Sequence, residues 1–255
     1  MEKLLVLTDL HITEPGETII GLDPGARLEA TLDHALARHP DAARLIVTGD
    51  LTHHGRPAQY RRLKSILDPL PLPVLLLPGN HDRRAGFEEV FPDRPRDWVE
   101  DLGDWRLIGL DTTDEPSHAG RLDGDRLERL DAALAGAGRS IVFAHHPPFL
   151  TGLPGMDAIR LADGHVLLDR LARHDAHLVC GHVHRTASGS ARGVPWTMFK
   201  SPCHQAPLDF VTPDSSLSID EPAAYGVILL GPEGAICHSE DVLDTGPPGR
   251  DMASA

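Results

Sequence analysis

Short apolar runs and longer amphipathic stretches take turns along the first two thirds of the chain. Leu4-Leu5-Val6-Leu7 is a continuous apolar run, the mark of a strand buried on both faces. Leu28, Leu32, Ala35 and Leu36 then recur at helical spacing. Leu45-Ile46-Val47 predicts a second strand. Tyr60, Leu63, Ile66 and Leu67 predict a second helix, and Val74-Leu75-Leu76-Leu77 a third strand. Pro71 and Pro73 stand just before that strand, where lost ladder donors matter least. A hairpin turning at Leu102-Gly103-Asp104 is predicted between Trp98 and Leu110. A helix around residues 125–134 leads to the strand Ile141-Val142-Phe143-Ala144, and a helix over roughly 166–173 precedes Leu178-Val179-Cys180.

After His184 the pattern changes. Residues 186–240 read as short strands with turns at Arg192-Gly193 and Pro232-Glu233-Gly234, with no clear helix. Strand–helix alternation followed by strands predicts an α/β fold, a four-layer α/β/β/α sandwich of two mixed β-sheets flanked by helices. No Gly/Ser linker, internal repeat or low-complexity tract divides the chain. Residues 1–243 are therefore expected to form one domain, and residues 244–255, rich in Gly, Pro and small residues, a flexible C-terminal tail.

Composition narrows the partners. The formal charge of −14 over 255 residues predicts a surface that repels DNA and RNA, which argues against a nuclease acting on long duplexes. A small phosphorylated substrate can still be drawn in by a local cationic centre such as bound metal. Cys180, Cys203 and Cys237 are odd in number and widely spaced, so neither a disulfide framework nor a thiolate zinc site is indicated. The apolar run at the N-terminus meets Asp9 and His11 at once and is too short for a signal peptide core. No stretch approaches the roughly 20 apolar residues of a membrane span. The expectation is a reduced, cytoplasmic location without membrane attachment.

The chemistry lies at the carboxyl ends of the strands. After the first come Asp9 and His11, after the second Gly49-Asp50, and after the third Gly79-Asn80-His81-Asp82. His145 comes after the strand ending at Ala144, and Gly181-His182-Val183-His184 after the one ending at Cys180. In open α/β sheets this edge is where ligand sites are built. Residues two apart in extended chain face the same side, so Asp9 with His11, and His182 with His184, can each converge on one point. Imidazole with carboxylate suits Mn, Fe, Co or Zn, and the side chains are too many for one tetrahedral ion and about right for two.

The set Asp9-x-His11, Gly49-Asp50, Gly79-Asn80-His81-Asp82, His145 and Gly181-His182-Val183-His184 resembles the signature of calcineurin-like metallophosphoesterases. Five blocks stand in family order from residue 9 to residue 184. His145-His146-Pro147-Pro148-Phe149 with Met156-Asp157, and Pro202, His204-Gln205 and Leu208-Asp209, resemble class III cyclic nucleotide phosphodiesterases and bacterial glycerophosphodiesterases. The resemblance implies two divalent or mixed-valence metal ions. Asp9, His11, Asp50 and His184 would hold one ion, and Asp50, Asn80, His145 and His182 the other, with Asp50 bridging. A hydroxide shared by cations about 3.5–4 Å apart would then attack phosphorus in line. His81 is expected to protonate the leaving oxygen or steady the phosphate, with Asp82 either orienting His81 or capping a turn. His146 is expected to point away from the metals and His204 to form part of the substrate wall.

One departure stands at His53, where relatives often carry Asp or Asn and purple acid phosphatases a metal-binding Tyr. His53 is expected not to reach a metal. The implied function is hydrolysis of a small phosphodiester, cyclic AMP first and glycerophosphodiesters next. A broader phosphodiesterase or phosphomonoesterase activity and a non-catalytic protein-binding scaffold are the alternatives. Relatives are commonly dimeric, which makes a homodimer an open expectation.

Overall fold

The computed structural model describes residues 1–243, so the tail expected at 244–255 lies outside the described residues. Two sheets share the chain. The first is built from β1 (Glu2–Leu7), β2 (Arg44–Thr48), β3 (Val74–Leu77), β10 (Ala224–Gly231) and β11 (Gly234–Asp241). Its order is β11-β10-β1-β2-β3, with β1, β2 and β3 parallel, β10 antiparallel to β1 and β11 antiparallel to β10. The second has β4 (Trp98–Leu102), β5 (Trp105–Leu110), β6 (Arg139–Ala144), β7 (Ala176–Cys180), β8 (Ala187–Ala191) and β9 (Val194–Met198), in the order β4-β5-β6-β7-β9-β8. Here β5, β6, β7 and β9 run parallel, and the two outer strands are antiparallel.

The alternation of side chains within each strand explains the layers. Leu5 and Leu7 of β1 face α1 (Pro24–Arg38) and α2 (Pro57–Leu67), where they meet Leu28, Leu32, Tyr60 and Leu63. Leu4 and Val6 face the other way, into a layer with Phe143, Val179, Phe199 and Ile228 between the sheets. A third cluster joins the second sheet to α4 (Gly124–Leu134) and α6 (Gly164–Leu171) through Val142, Leu178, Leu130 and Leu167. Each fully buried aliphatic side chain of this kind contributes roughly 1.5–3 kcal/mol. The molecule is thus the expected helix–sheet–sheet–helix sandwich.

Local signals fix the helix starts. Asp23 precedes Pro24, and its Oδ1 accepts from the Gly25 and Ala26 amides at 2.9 and 3.3 Å. Asp123 accepts from the Arg126 amide at 2.9 Å at the start of α4. Two short helices, α3 (Arg84–Val90) and α5 (Pro154–Ala158), are not legible from periodicity, because neither spans enough turns to show it. The expectation of short strands between 199 and 223 is also corrected. That segment is a loop carrying a single bridge, Gln205 to Ile219. Arg27 of α1 clamps it, bonding the Pro202 and Glu221 carbonyls at 2.9 and 2.6 Å. No helix among the described residues is long and apolar enough to cross a membrane.

Candidate metal centre and its cavity

The carboxyl ends of β1, β2, β3, β6 and β7 meet at one edge of the sandwich. Asp9, His11, Asp50, Asn80, His145, His182 and His184 are all buried there, and His81 is half-buried beside them. Ligand atoms of Asp9, His11, Asp50 and His184 lie within 4.8 Å of one another, close enough to share an ion. His145 Nε2 lies 3.0 Å from Asn80 Oδ1, 3.3 Å from His182 Nδ1 and 3.5 Å from Asp50 Oδ1.

The convergence has a different cause from the one predicted. Asp9, His11, Asp50, His182 and His184 have left outright the extended conformation of their strands. Their φ values of +55, +47, +46, +72 and +53° lie in the left-handed region. Such residues cost about 1 kcal/mol or more each, so the surrounding bonds must hold them. They do. The Asp9 and His11 amides donate to the Gly49 and Asp50 carbonyls at 3.0 and 2.8 Å, and the His182 amide donates to the Asp9 carboxylate at 3.0 Å. Gly49, at φ +109°, is required twice over. Its backbone suits only glycine, and a Cβ there would land on the His145 ring.

Hydrogen bonds also fix which nitrogens are free. His145 Nδ1 donates to the Thr48 carbonyl at 2.9 Å and His184 Nδ1 to the His204 carbonyl at 2.8 Å, so each presents Nε2 to the cluster. Asn80 Nδ2 donates to His118 Nδ1 at 3.1 Å, which turns Oδ1 toward His145 Nε2. Unprotonated, that pair brings two lone pairs together with no hydrogen between them. His11 Nε2 and His184 Nε2 lie 3.0 Å apart, so both rings turn a nitrogen to the same point. His182 Nε2 is buried without any hydrogen-bond partner among the described residues. Inward-facing lone pairs, two carboxylates and an orphaned ring nitrogen fit divalent cations.

Electrostatics agree. Burial, with the neighbouring rings, holds His11 and His182 well below the usual histidine range and His184 near about 4, so their lone pairs are available at neutral pH. Burial pushes Asp9 up to about 7. Against the effect of burial, the His145 and His81 rings hold Asp50 well below the usual carboxylate range. Burial likewise opposes a charge on His145, but Asp50 and Asp9 push it up to about 9. A positive charge at this point is stabilised, whether a ring proton or a metal supplies it.

The neighbours of the cluster divide into those that face it and those that do not. His146 accepts from the Thr112 hydroxyl at 2.7 Å and donates to the His118 carbonyl at 3.2 Å, leaving no nitrogen free. His53 Nδ1 sits 3.4 Å from His11 Nδ1, beside the cluster. Asp82 does not orient His81. Its oxygens accept from the Gly79, Leu51 and Thr52 amides and the Tyr60 hydroxyl at 2.8–3.1 Å, tying the loop after β2 to the loop after β3. Burial, reinforced by Asp50, pushes Asp82 up to about 6. His81 Nδ1 donates instead to the His53 carbonyl at 2.9 Å, and the His81 amide donates to Asp50 Oδ1 at 2.8 Å. His118 escapes sequence reasoning because it sits in an irregular loop with no flanking pattern.

The cluster floors a cavity of about 460 Å³. Ile19, Ile20, Met156, Ile159 and Leu217 supply its apolar side, and Ser215, Ser216 and Ser218 a hydroxyl side. His204, expected as wall, lines it as well. No lysine or arginine does so among the described residues.

Residues 2–186 match the family model for calcineurin-like phosphoesterases. The chain belongs to that family. It is 38% identical to a probable cyclic nucleotide phosphodiesterase of Rhodopseudomonas palustris, covering 96% of this chain and 94% of that one. A 3′,5′-cyclic adenosine monophosphate phosphodiesterase of Pseudomonas aeruginosa is 30% identical over 71% of this chain and 69% of its own length. A glycerophosphodiester phosphodiesterase of Enterobacter lignolyticus is 32% identical over 68% of this chain and 66% of its own. Among solved structures, a dimetal phosphatase from Danio rerio shares the fold with a TM-score of 0.70 at 14% identity, covering 95% of this chain and 96% of that one. This calcineurin-like phosphoesterase is a phosphoric diester hydrolase.

Proposed function

We propose that this phosphodiesterase hydrolyses 3′,5′-cyclic nucleotides, cyclic AMP first, at a two-metal centre in the cytoplasm. Asp9, His11, Asp50 and His184 would hold one ion and Asp50, Asn80, His145 and His182 the other, with Asp50 shared. Manganese, iron, zinc and cobalt all suit these ligands. When bound, the two cations supply Lewis acidity that binds phosphate oxygens and makes water nucleophilic at neutral pH.

The remaining work falls to residues around the centre. His81 has Nδ1 committed to the His53 carbonyl, which leaves Nε2 to hold the proton that the leaving oxygen takes. Its amide bond to Asp50 couples its position to the shared carboxylate. Asp82 acts as a positioning residue by tying the loops that carry Asp50 and Asn80.

The observation that carries the substrate class is a cavity lined, among the described residues, by no lysine or arginine and apolar on one side. A diester brings a single negative charge for the metals to meet, and its organic group needs apolar surface. A monoester dianion would find no lysine or arginine among the described lining residues to meet its second charge. The cyclic nucleotide phosphodiesterase relatives support the choice of substrate. The serine side of the cavity and the glycerophosphodiester phosphodiesterase relative support a second reading, in which the substrate carries a glycerol head.

The test strips the protein of metal, restores manganese, and compares kcat/KM for cyclic AMP, glycerophosphoethanolamine and p-nitrophenyl phosphate. Cyclic AMP is expected to lead by at least tenfold. A lead for glycerophosphoethanolamine would move the assignment to the second reading, and a lead for the monoester would overturn both.

A further inference from the structure

The chain between β1 and α1 forms a strap over the cavity, and its tip is strained. Ile19 and Leu22 exchange backbone bonds at 2.9 Å in each direction, closing a two-residue turn of Ile20 and Gly21. Both central residues lie at positive φ, +48° and +84°. Such a turn normally takes Asn-Gly or Gly-Gly. A β-branched side chain at its first position is an outlier, because its Cβ crowds the backbone there. Ile20 is moreover 51% exposed and lines the cavity mouth. Neither local folding nor the core explains an isoleucine at this position.

The strap is anchored at both feet by one side chain. Arg62 of α2 donates to the Thr13 and Glu14 carbonyls at 3.2 and 3.4 Å, and its other terminal nitrogen bonds Asp23 Oδ1 at 2.7 Å. Within the strap, Thr13 Oγ1 donates to the Glu17 carbonyl at 2.9 Å. The tip is therefore held over the cavity by bonds that do not involve Ile20.

We propose that Ile20 is a specificity-determining residue, whose side chain covers the aromatic substituent of a phosphodiester bound at the metal centre. Together with Met156, Ile159 and Leu217 it would take that group out of water. A nucleobase or an aryl ester gains from the contact, whereas inorganic phosphate, which reaches only the metals, gains nothing. The proposal rests on the reading that this cavity binds phosphodiesters.

Ile20→Asn and Ile20→Gly test it, since both residues accept the left-handed backbone. For bis(p-nitrophenyl) phosphate and for cyclic AMP, KM is expected to rise about tenfold with kcat unchanged. The inhibition constant of inorganic phosphate should stay constant, and the melting temperature should hold or rise. A KM for the aryl diester within twofold of wild type overturns the proposal. A parallel rise in the phosphate inhibition constant also overturns it, by placing the effect at the metal centre. Should the wild type leave cyclic AMP untouched, the nucleotide reading falls separately, and the aryl diester alone decides for or against Ile20.

Discussion

The floor and the rim of the cavity are built in opposite ways. Every proposed metal-holding side chain stands at the carboxyl end of a buried parallel strand, in backbone held by bonds between neighbouring loops. The rim comes from the strap at 13–23, the short helix α5 and the loop at 199–223, which carry few backbone ladder bonds of their own. Two arginines hold two of these pieces, Arg62 for the strap and Arg27 for the long loop. The proposed chemistry thus sits at the ends of the sheet strands, and the proposed selectivity on segments that can change without disturbing the sheets.

That division can be broken at either end, with effects of different size. The largest is expected at the floor. Asp50→Ala should lower kcat/KM on the order of a thousandfold and reduce bound metal, because one carboxylate serves both proposed ion sites. His81→Ala should lower turnover by roughly a hundredfold or more while metal content stays constant. Metal analysis beside steady-state kinetics separates the two, and equal metal loss in both would remove the proposed proton-holding role of His81. At the rim the effect is smaller and of another kind. Arg62→Met should raise KM for an aryl diester a few-fold and leave kcat and metal content near wild type. It should also lower the melting temperature by a few degrees, as loss of a partly buried set of charged hydrogen bonds costs about 1–3 kcal/mol. A fall in kcat with no change in KM would mean that the strap acts on the floor.

The same division governs how much of the molecule is legible in the sequence. Continuous apolar runs such as Leu4–Leu7 and Val74–Leu77 announce strands buried on both faces, and the polar residues just beyond them announce an edge site. Sandwich architecture and the gathering of Asp9 through His184 are legible for that reason. The means of gathering is not. The two-residue spacing points to extended chain, whereas left-handed turns at both members of each pair bring the groups together. The role of Asp82 is hidden because adjacency in sequence says nothing about which way a buried carboxylate turns. Five donors decide that, three from Leu51 and Thr52 in the loop after β2, one from Tyr60 and one from Gly79 in its own loop. His118 and the strained Ile20 lie in segments without periodicity, where only the folded chain shows what they face.

The most direct test of the central claim, that one cluster at the strand ends carries hydrolysis with two ions, is a manganese titration of the metal-stripped protein. Activity on bis(p-nitrophenyl) phosphate and bound metal per chain are followed together. The account predicts negligible activity without metal and a maximum reached only as the second equivalent binds. Full activity at one equivalent, or in the stripped protein, would contradict it.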